Sequence, residues 1–141
     1  MIIAVDFDGT IVTHEYPKIG KEIPFAIESL KRLQQEPQYQ LVLWTVREGN
    51  ELEEAVEFCR ARGLEFYAVN NNYPEETAKD KQARKLKADL FIDDRNLGGL
   101  PDWGIIYRMI TNGACYEPIS DEIHPEYTLP KKKFWASIFG K

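Results

Sequence analysis

"MIIAVDFDGT", residues 1–10, runs an apolar stretch straight into two aspartates spaced two positions apart. The wholly apolar run "IIAV" (2–5) has the composition of a strand buried on both faces, the kind found in parallel sheets. Asp, Gly and Thr are ordinary turn residues. Taken alone, then, the stretch reads equally as a strand ending in a turn or as a strand delivering carboxylates to a site. The rest of the chain has to decide.

Three further runs share this character: "LVLW" (41–44), "LEFYAV" (64–69) and "ADLFI" (88–92). Helical periodicity lies between them. Pro24 suits the first turn of a helix whose Ile23, Ile27, Leu30 and Leu33 share one face. Asn50 and Glu53 have the spacing of a capping box. Leu52, Ala55, Val56 and Cys59 then line one face, and Gly63 suits a left-handed C-terminal cap. A third helix is expected from Pro74, with Glu75 and Glu76 near its positive end, although its apolar face is weak. "PDWGIIYRMI" (101–110) predicts a fourth, with Asp102 near its start.

Alternating strands and helices of this kind predict an α/β fold. The expected form is a three-layer Rossmann-like parallel sheet with helices on both faces and right-handed crossovers. The core is expected over 1–112, with 113–141 as an extension packed on or flanking it. "KKKFWASIFGK" (131–141) is read as a short amphipathic helix closing over the core.

Ligands of parallel α/β sheets bind outside the carboxyl ends of the strands, so the residues after each run matter most. The first run ends in Asp6 and Asp8, the second in Thr45 and Arg47, the third in Asn70–Asn72, and the fourth in Asp93 and Asp94. Lys85 precedes the last strand and could reach the same rim. One polar residue after a strand means little; four sets from four strands make a convergent site. If Asp6, Asp93 and Asp94 lay about 5 Å apart, each pair would repel by roughly 3 kcal/mol at an effective dielectric near 20. The sum approaches roughly 10 kcal/mol, the scale of a whole domain's stability. Such a cluster must bind protons or a cation. Hard oxygen ligands, with no His or Cys pair nearby, select Mg²⁺. His14 and His124 are lone and read as surface residues.

Composition narrows the classes. A chain of 141 residues, 43% hydrophobic, is one globular domain. Eighteen basic against 23 acidic residues, a net charge of −5, argue against nucleic-acid or anionic-membrane binding driven by overall charge. No run reaches the length of a membrane span. The first residues lack the pattern of a secretory signal, and Cys59 and Cys115 have no metal-ligand spacing. A cytoplasmic location is the expectation, with Cys59 as a small buried hydrophobe.

"DFDGT" after an N-terminal strand, "LVLWT" ending in Thr45, a lysine, and "LFIDD" resemble, in that order, the motifs of the haloacid dehalogenase-like superfamily, most of whose members are Mg²⁺-dependent phosphatases. The resemblance covers roughly residues 1–100, and "FIDDRNLGGLPDW" (91–103) also looks like a group of small phosphatase-like proteins without an assigned substrate. It implies that Asp6 is the nucleophile, forming an aspartyl phosphate, and that Asp8 is the general acid and base. Mg²⁺ would be held by Asp6, the backbone carbonyl of Asp8, and the pair Asp93 and Asp94, with Asp94 the favoured direct ligand. Thr45 and Lys85 match the phosphate-holding positions. Gly9 would allow a sharp turn, the Thr10 amide and Arg47 would add phosphate contacts, and Lys79, Lys81 and Lys87 compete with Lys85 for its role. Arg95 is read as structural.

In this superfamily a cap domain is inserted at defined points. Here 38 residues separate Asp6 from Thr45, enough for a flap (about 11–21) and a helix, and 39 separate Thr45 from Lys85. Neither interval holds a cap. An open site would admit a large phosphorylated substrate or be covered in a homo-oligomer. The leading expectation is a phosphoric monoester hydrolase. A phosphotransferase, a non-catalytic phosphate- or Mg²⁺-binding module, and a phosphoacceptor module are the rivals. The last differs in motif order, placing its acidic pair after the first strand, and has no use for a general acid at Asp8.

Overall fold

The computed structural model describes residues 1–81 and 83–116. It contains a four-stranded parallel sheet and three helices: β1 (Ile2–Val5), α1 (Ala26–Gln35), β2 (Gln40–Leu43), α2 (Gly49–Arg60), β3 (Ala68–Val69), β4 (Leu90–Ile92) and α3 (Trp103–Thr111). The strand order is β3-β2-β1-β4. Ile3 pairs with both Leu41 and Leu90, and Val5 with both Leu43 and Ile92. The fold is α/β, and no helix among the described residues is long and apolar enough to cross a membrane.

The strand pleat sorts side chains onto two faces. Ile3, Val5, Leu41, Leu43 and Ile92 face a core that also contains Ile27, Leu30 and Leu33 of α1, Ala55 and Cys59 of α2, and Trp103, Ile106 and Ile110 of α3. Ala4, Val42 and Ala68 face the other way, against Leu86 and the partly buried Trp44 and Phe91. Ala4 and Val42 are as buried as their neighbours, which is why these strands lack apolar–polar alternation.

Topology explains the layers. The chain steps outward from β1 to β2 to β3, then crosses back to β4 on the far side of β1. Right-handed crossovers place the two outward connections, α1 and α2, on one face and the return connection on the other. The strand order therefore reverses between β1 and β4. This switch point is where the crevice of an open parallel sheet lies.

The layer on the second face is the irregular segment 70–89; the helix expected from Pro74 is not formed among its described residues. Local side-chain bonds compete with the helical ladder here. The Glu76 carboxylate accepts from the Asn72 amide and from its Nδ2, both at 2.7 Å, and Asp80 accepts from both the amide and the hydroxyl of Thr77. Leu86 is the buried hydrophobe that anchors the segment.

Other boundaries shift for local reasons. Helix α1 begins after Pro24, because Phe25 adopts a left-handed conformation (φ 66°) at its N-cap. Helix α2 starts one residue before Asn50, with Glu48 at the cap and no side-chain capping bond. Gly63 takes φ 81° as its position after α2 predicted, and Asp102 caps α3 by accepting from the Gly104 amide at 2.8 Å. Of "LEFYAV", only Ala68–Val69 joins the ladder, although Leu64 remains buried. The helix expected over 131–141, the greater part of the extension, and His124 lie outside the described residues.

Candidate active site

The rims of β1, β2 and β4 meet at the switch point. The Asp6 amide donates to the Ile92 carbonyl at 2.9 Å and the Trp44 amide to the Val5 carbonyl at 2.8 Å, so β1 stays in register to its last residue. Asp6 leaves β1 there, and Asp93 and Asp94 leave β4. Each of the three offers a carboxylate oxygen, all within 4.8 Å of one another. Burial first, and then the charges of Asp93, Asp94 and Asp8, push the Asp6 carboxyl up to about 7 against the opposing bond from the Phe7 amide. Like charges at this spacing titrate upward unless a cation joins them.

Two features of the cluster suit a cation. The Asp94 Oδ1 atom is buried and has no hydrogen-bond partner, an arrangement that costs free energy unless something else takes the lone pair. A Cβ built on Gly9 would lie 2.3 Å from Asp94 Oδ2, so the backbone at residue 9 is cut back to make room for that carboxylate. Gly9 also has φ 81°, which only glycine adopts freely. Asp93 is more fully engaged, its Oδ1 accepting from the Arg95 amide at 2.8 Å.

Thr10 supports the cluster from beneath. Its hydroxyl accepts from the Asp94 amide at 3.1 Å, and its carbonyl accepts from the buried Trp103 indole at 2.9 Å. The amide assigned to phosphate is spent on the Phe7 carbonyl, and the Gly9 amide on Val12. Both residues shape the loop; in this arrangement neither amide is turned toward a phosphate.

Asp8 has a different partner. Arg47 Nε donates to Asp8 Oδ2 and Nη2 to Asp8 Oδ1, each at 2.7 Å. Nη1 donates to the carbonyls of Pro17 (3.0 Å) and Glu51 (3.4 Å), and Nη2 also to Lys18 (2.8 Å). All five guanidinium donors are thus committed, and Arg47 is completely buried. The expectation that Arg47 contacts phosphate is corrected: it has no donor left for one. Its neighbour Asp8, its strongest partner, raises the guanidinium further above its ordinary range.

Thr45 stands beside this pair. Its amide donates to Asn70 Oδ1 at 2.8 Å, and its hydroxyl accepts from the Arg47 amide at 3.2 Å. Asn70 reaches it from a left-handed conformation (φ 53°), a geometry asparagine tolerates. The run "NNN" pointed to this rim, but the role of Asn70 in fixing Thr45 could not be read from it. The lysines divide. Lys81 Nζ donates to the Asn70 carbonyl at 3.1 Å. Lys85 Nζ lies 5.2 Å from the centre of the Phe91 ring, lining a groove of about 450 Å³ with Ile2, Gln40 and Tyr73. Lys85 is therefore held on the second face here, not joined to the acidic cluster. Exposed His14 is in contact with Arg95, 3.0 Å from its Nη2. Cys59 is buried and its thiol is pushed up to about 12 by desolvation, as a structural cysteine should be.

A parallel α/β protein with three carboxylates gathered at its switch point is the class that fold and site define. No family model matches the chain, and no curated protein does. Among solved structures, it is similar to a conserved protein coded by a locus of Bacteroides thetaiotaomicron, with 69% sequence identity and a TM-score of 0.76. The match covers 80% of this chain and 91% of that one. The chain belongs to the same family as that protein.

Proposed function

We propose that the chain is a Mg²⁺-dependent phosphatase of the haloacid dehalogenase-like superfamily, working through an aspartyl-phosphate intermediate. The observation that carries this reading is the cluster of Asp6, Asp93 and Asp94, with the partnerless Asp94 Oδ1 at its base, at the carboxyl rim of β1 and β4.

Asp6 would attack the phosphorus of a monoester as the ester P–O bond breaks, and the leaving oxygen would take a proton from Asp8. For this step Asp8 would have to carry a proton and give up one of its two bonds from Arg47. Water would then attack the phosphorus of the aspartyl phosphate while Asp8 takes its proton, releasing inorganic phosphate and the Asp6 carboxylate. Splitting the hydrolysis this way needs a proton carrier beside the nucleophile; Asp8 lies two residues from Asp6, close enough to act on its charge. The Thr45 hydroxyl would donate to an equatorial phosphate oxygen.

Asp6, Asp94 and Asp93 would hold the Mg²⁺, with Asp94 favoured because its inner oxygen has no other partner. When bound, the ion would offset the carboxylates' mutual repulsion and the charge of the incoming phosphate. The resemblance favours Lys85 as the cation on phosphate, whereas Lys81 is the lysine bonded at the Thr45–Asn70 rim. Paired alanine variants decide between them by which loses more activity.

The site has no inserted cap among the described residues. Phosphate release from aryl and alkyl monoesters with Mg²⁺ is the test. Activity in the wild type that disappears in Asp6→Asn and in EDTA supports the reading; equal activity in wild type and Asp6→Asn sinks it.

A further inference from the structure

Arg47 is more elaborately bound than a salt bridge requires. One residue joins three parts of the site: the Asp8 carboxylate through two parallel bonds, the flap through the carbonyls of Pro17 and Lys18, and the first turns of α2 through the Glu51 carbonyl. Its planar group also lies 5.1 Å from the ring centres of Phe7, beside Asp8, and Tyr16, in the flap. Three consecutive flap residues, Tyr16, Pro17 and Lys18, are thereby fastened to Asp8 through one side chain. The base of the flap is closed separately, by the Thr13 amide on the Lys21 carbonyl (2.7 Å) and the Ile23 amide on the Ile11 carbonyl (2.9 Å). Its tip is exposed, and beside the His14–Arg95 contact (3.0 Å) and the packing of Ile19 on the core, Arg47 is what holds Tyr16, Pro17 and Lys18.

We propose that Arg47 is a positioning residue that makes the orientation of Asp8 and the closure of the flap a single unit. It sets where the Asp8 carboxylate points and whether the flap lies over the site. This rests on the phosphatase reading for its catalytic consequence, but not for the mechanical coupling. A lysine in its place would keep the charge and lose the fork, because an ammonium cannot reproduce two parallel bonds to a carboxylate together with three divergent carbonyl contacts.

The test compares wild type, Arg47→Lys and Arg47→Met. A proton from Asp8 matters most where the leaving group is a poor one. Misplacing Asp8 is therefore expected to lower kcat by about 100-fold for an alkyl phosphate and by less than about 10-fold for a dinitrophenyl phosphate, with KM little changed. A purely structural loss lowers both alike, and that result overturns the positioning role. Limited trypsin digestion of the metal-free full chain provides an arm independent of activity. Freed of its tether, the flap is expected to be cut at Lys18 at least about 10-fold faster while far-UV dichroism is unchanged; an unchanged rate in a folded variant overturns the coupling.

Should either variant fail to fold, the wild type still decides. Side-chain nitrogen NMR is expected to give slowly exchanging, separate signals for the Arg47 Nη hydrogens, and free rotation of that group overturns the clamp. A wild type inactive on both esters sinks the phosphatase reading and leaves the digestion and NMR results to judge the clamp.

Discussion

Asp6 and Asp8 leave the same strand end two residues apart and meet opposite environments. Asp8 is buried, and a bidentate, fully buried guanidinium supplies its counter-charge from within the chain. Asp6 is gathered with Asp93 and Asp94 instead, and the charges that act on it are carboxylates. One half of the site is electrostatically complete and the other is not. Folding tolerates the incomplete half because the Asp6 carboxyl can hold a proton up to about pH 7. What the contrast teaches is where the chain supplies positive charge of its own, on the Asp8 side, and where it gathers carboxylates instead, on the Asp6 side.

The contrast is most vulnerable at Asp6. Asp6→Asn is expected to lower phosphate release by at least about 10⁴-fold, because it removes the proposed nucleophile, while leaving the fold intact and removing like-charge repulsion. Steady-state phosphate release and a urea melt on the same sample check both halves.

On the complete side, Arg47→Met strands a buried carboxylate and is expected to cost about 3–5 kcal/mol. The double variant Arg47→Met with Asp8→Leu should recover much of that loss, since both charges then disappear together. Chemical denaturation of the two variants measures the difference; no recovery would show that the flap and α2 contacts, not the ion pair, dominate.

The incomplete side is expected to respond to pH and metal. The folded-state value of Asp6, about 7, lies above its ordinary 3.8, so between these values the folded chain binds more protons than the unfolded one. The Asp6 contribution to metal-free stability is therefore expected to fall as pH rises from about 4 to 7. Mg²⁺ at 100 times its Kd should restore about 2.7 kcal/mol at pH 8, and Asp6→Asn should flatten the pH dependence. Thermal melts across pH with and without Mg²⁺ test this; a metal-independent Tm at pH 8 counts against the cation.

Gly9→Ala should cost about 2 kcal/mol, through the left-handed backbone and the displacement of Asp94, with Mg²⁺ stabilisation weakened in parallel. Smallest is the loss expected for Glu76→Ala on the second face, which removes the Asn72 bonds. Those bonds hold the Glu76 carboxyl below its ordinary 4.5. Its contribution is therefore complete above that value and fades as pH falls below it. This variant should leave Mg²⁺ binding untouched, separating the second face from the rim. Denaturant melts and Mg²⁺ titrations of both variants check these two expectations.

The parallel strands, the faces of α1 and α2, the cap of α3 and the carboxylates at the rim were all legible, because each depends on local periodicity or on the residues directly after a strand. The irregular 70–89 segment was not. A weak apolar face left the choice to Glu76 and Asp80, whose side chains bind nearby backbone amides in place of a helix. Thr10 and Gly9 look like phosphate-loop residues in the sequence, yet their amides close the loop on itself.

By itself, the sequence determined that three of four buried strands would deliver Asp6, Asp8, Thr45, Asp93 and Asp94 to one edge of a parallel sheet, because strand burial and connection length are local properties. Only the tertiary structure decided that Arg47 belongs to Asp8 and not to a ligand, and that Lys85 lies on the second face against Phe91. Which donor meets which acceptor depends on distances between segments far apart in the chain, and spacing along the chain does not encode them.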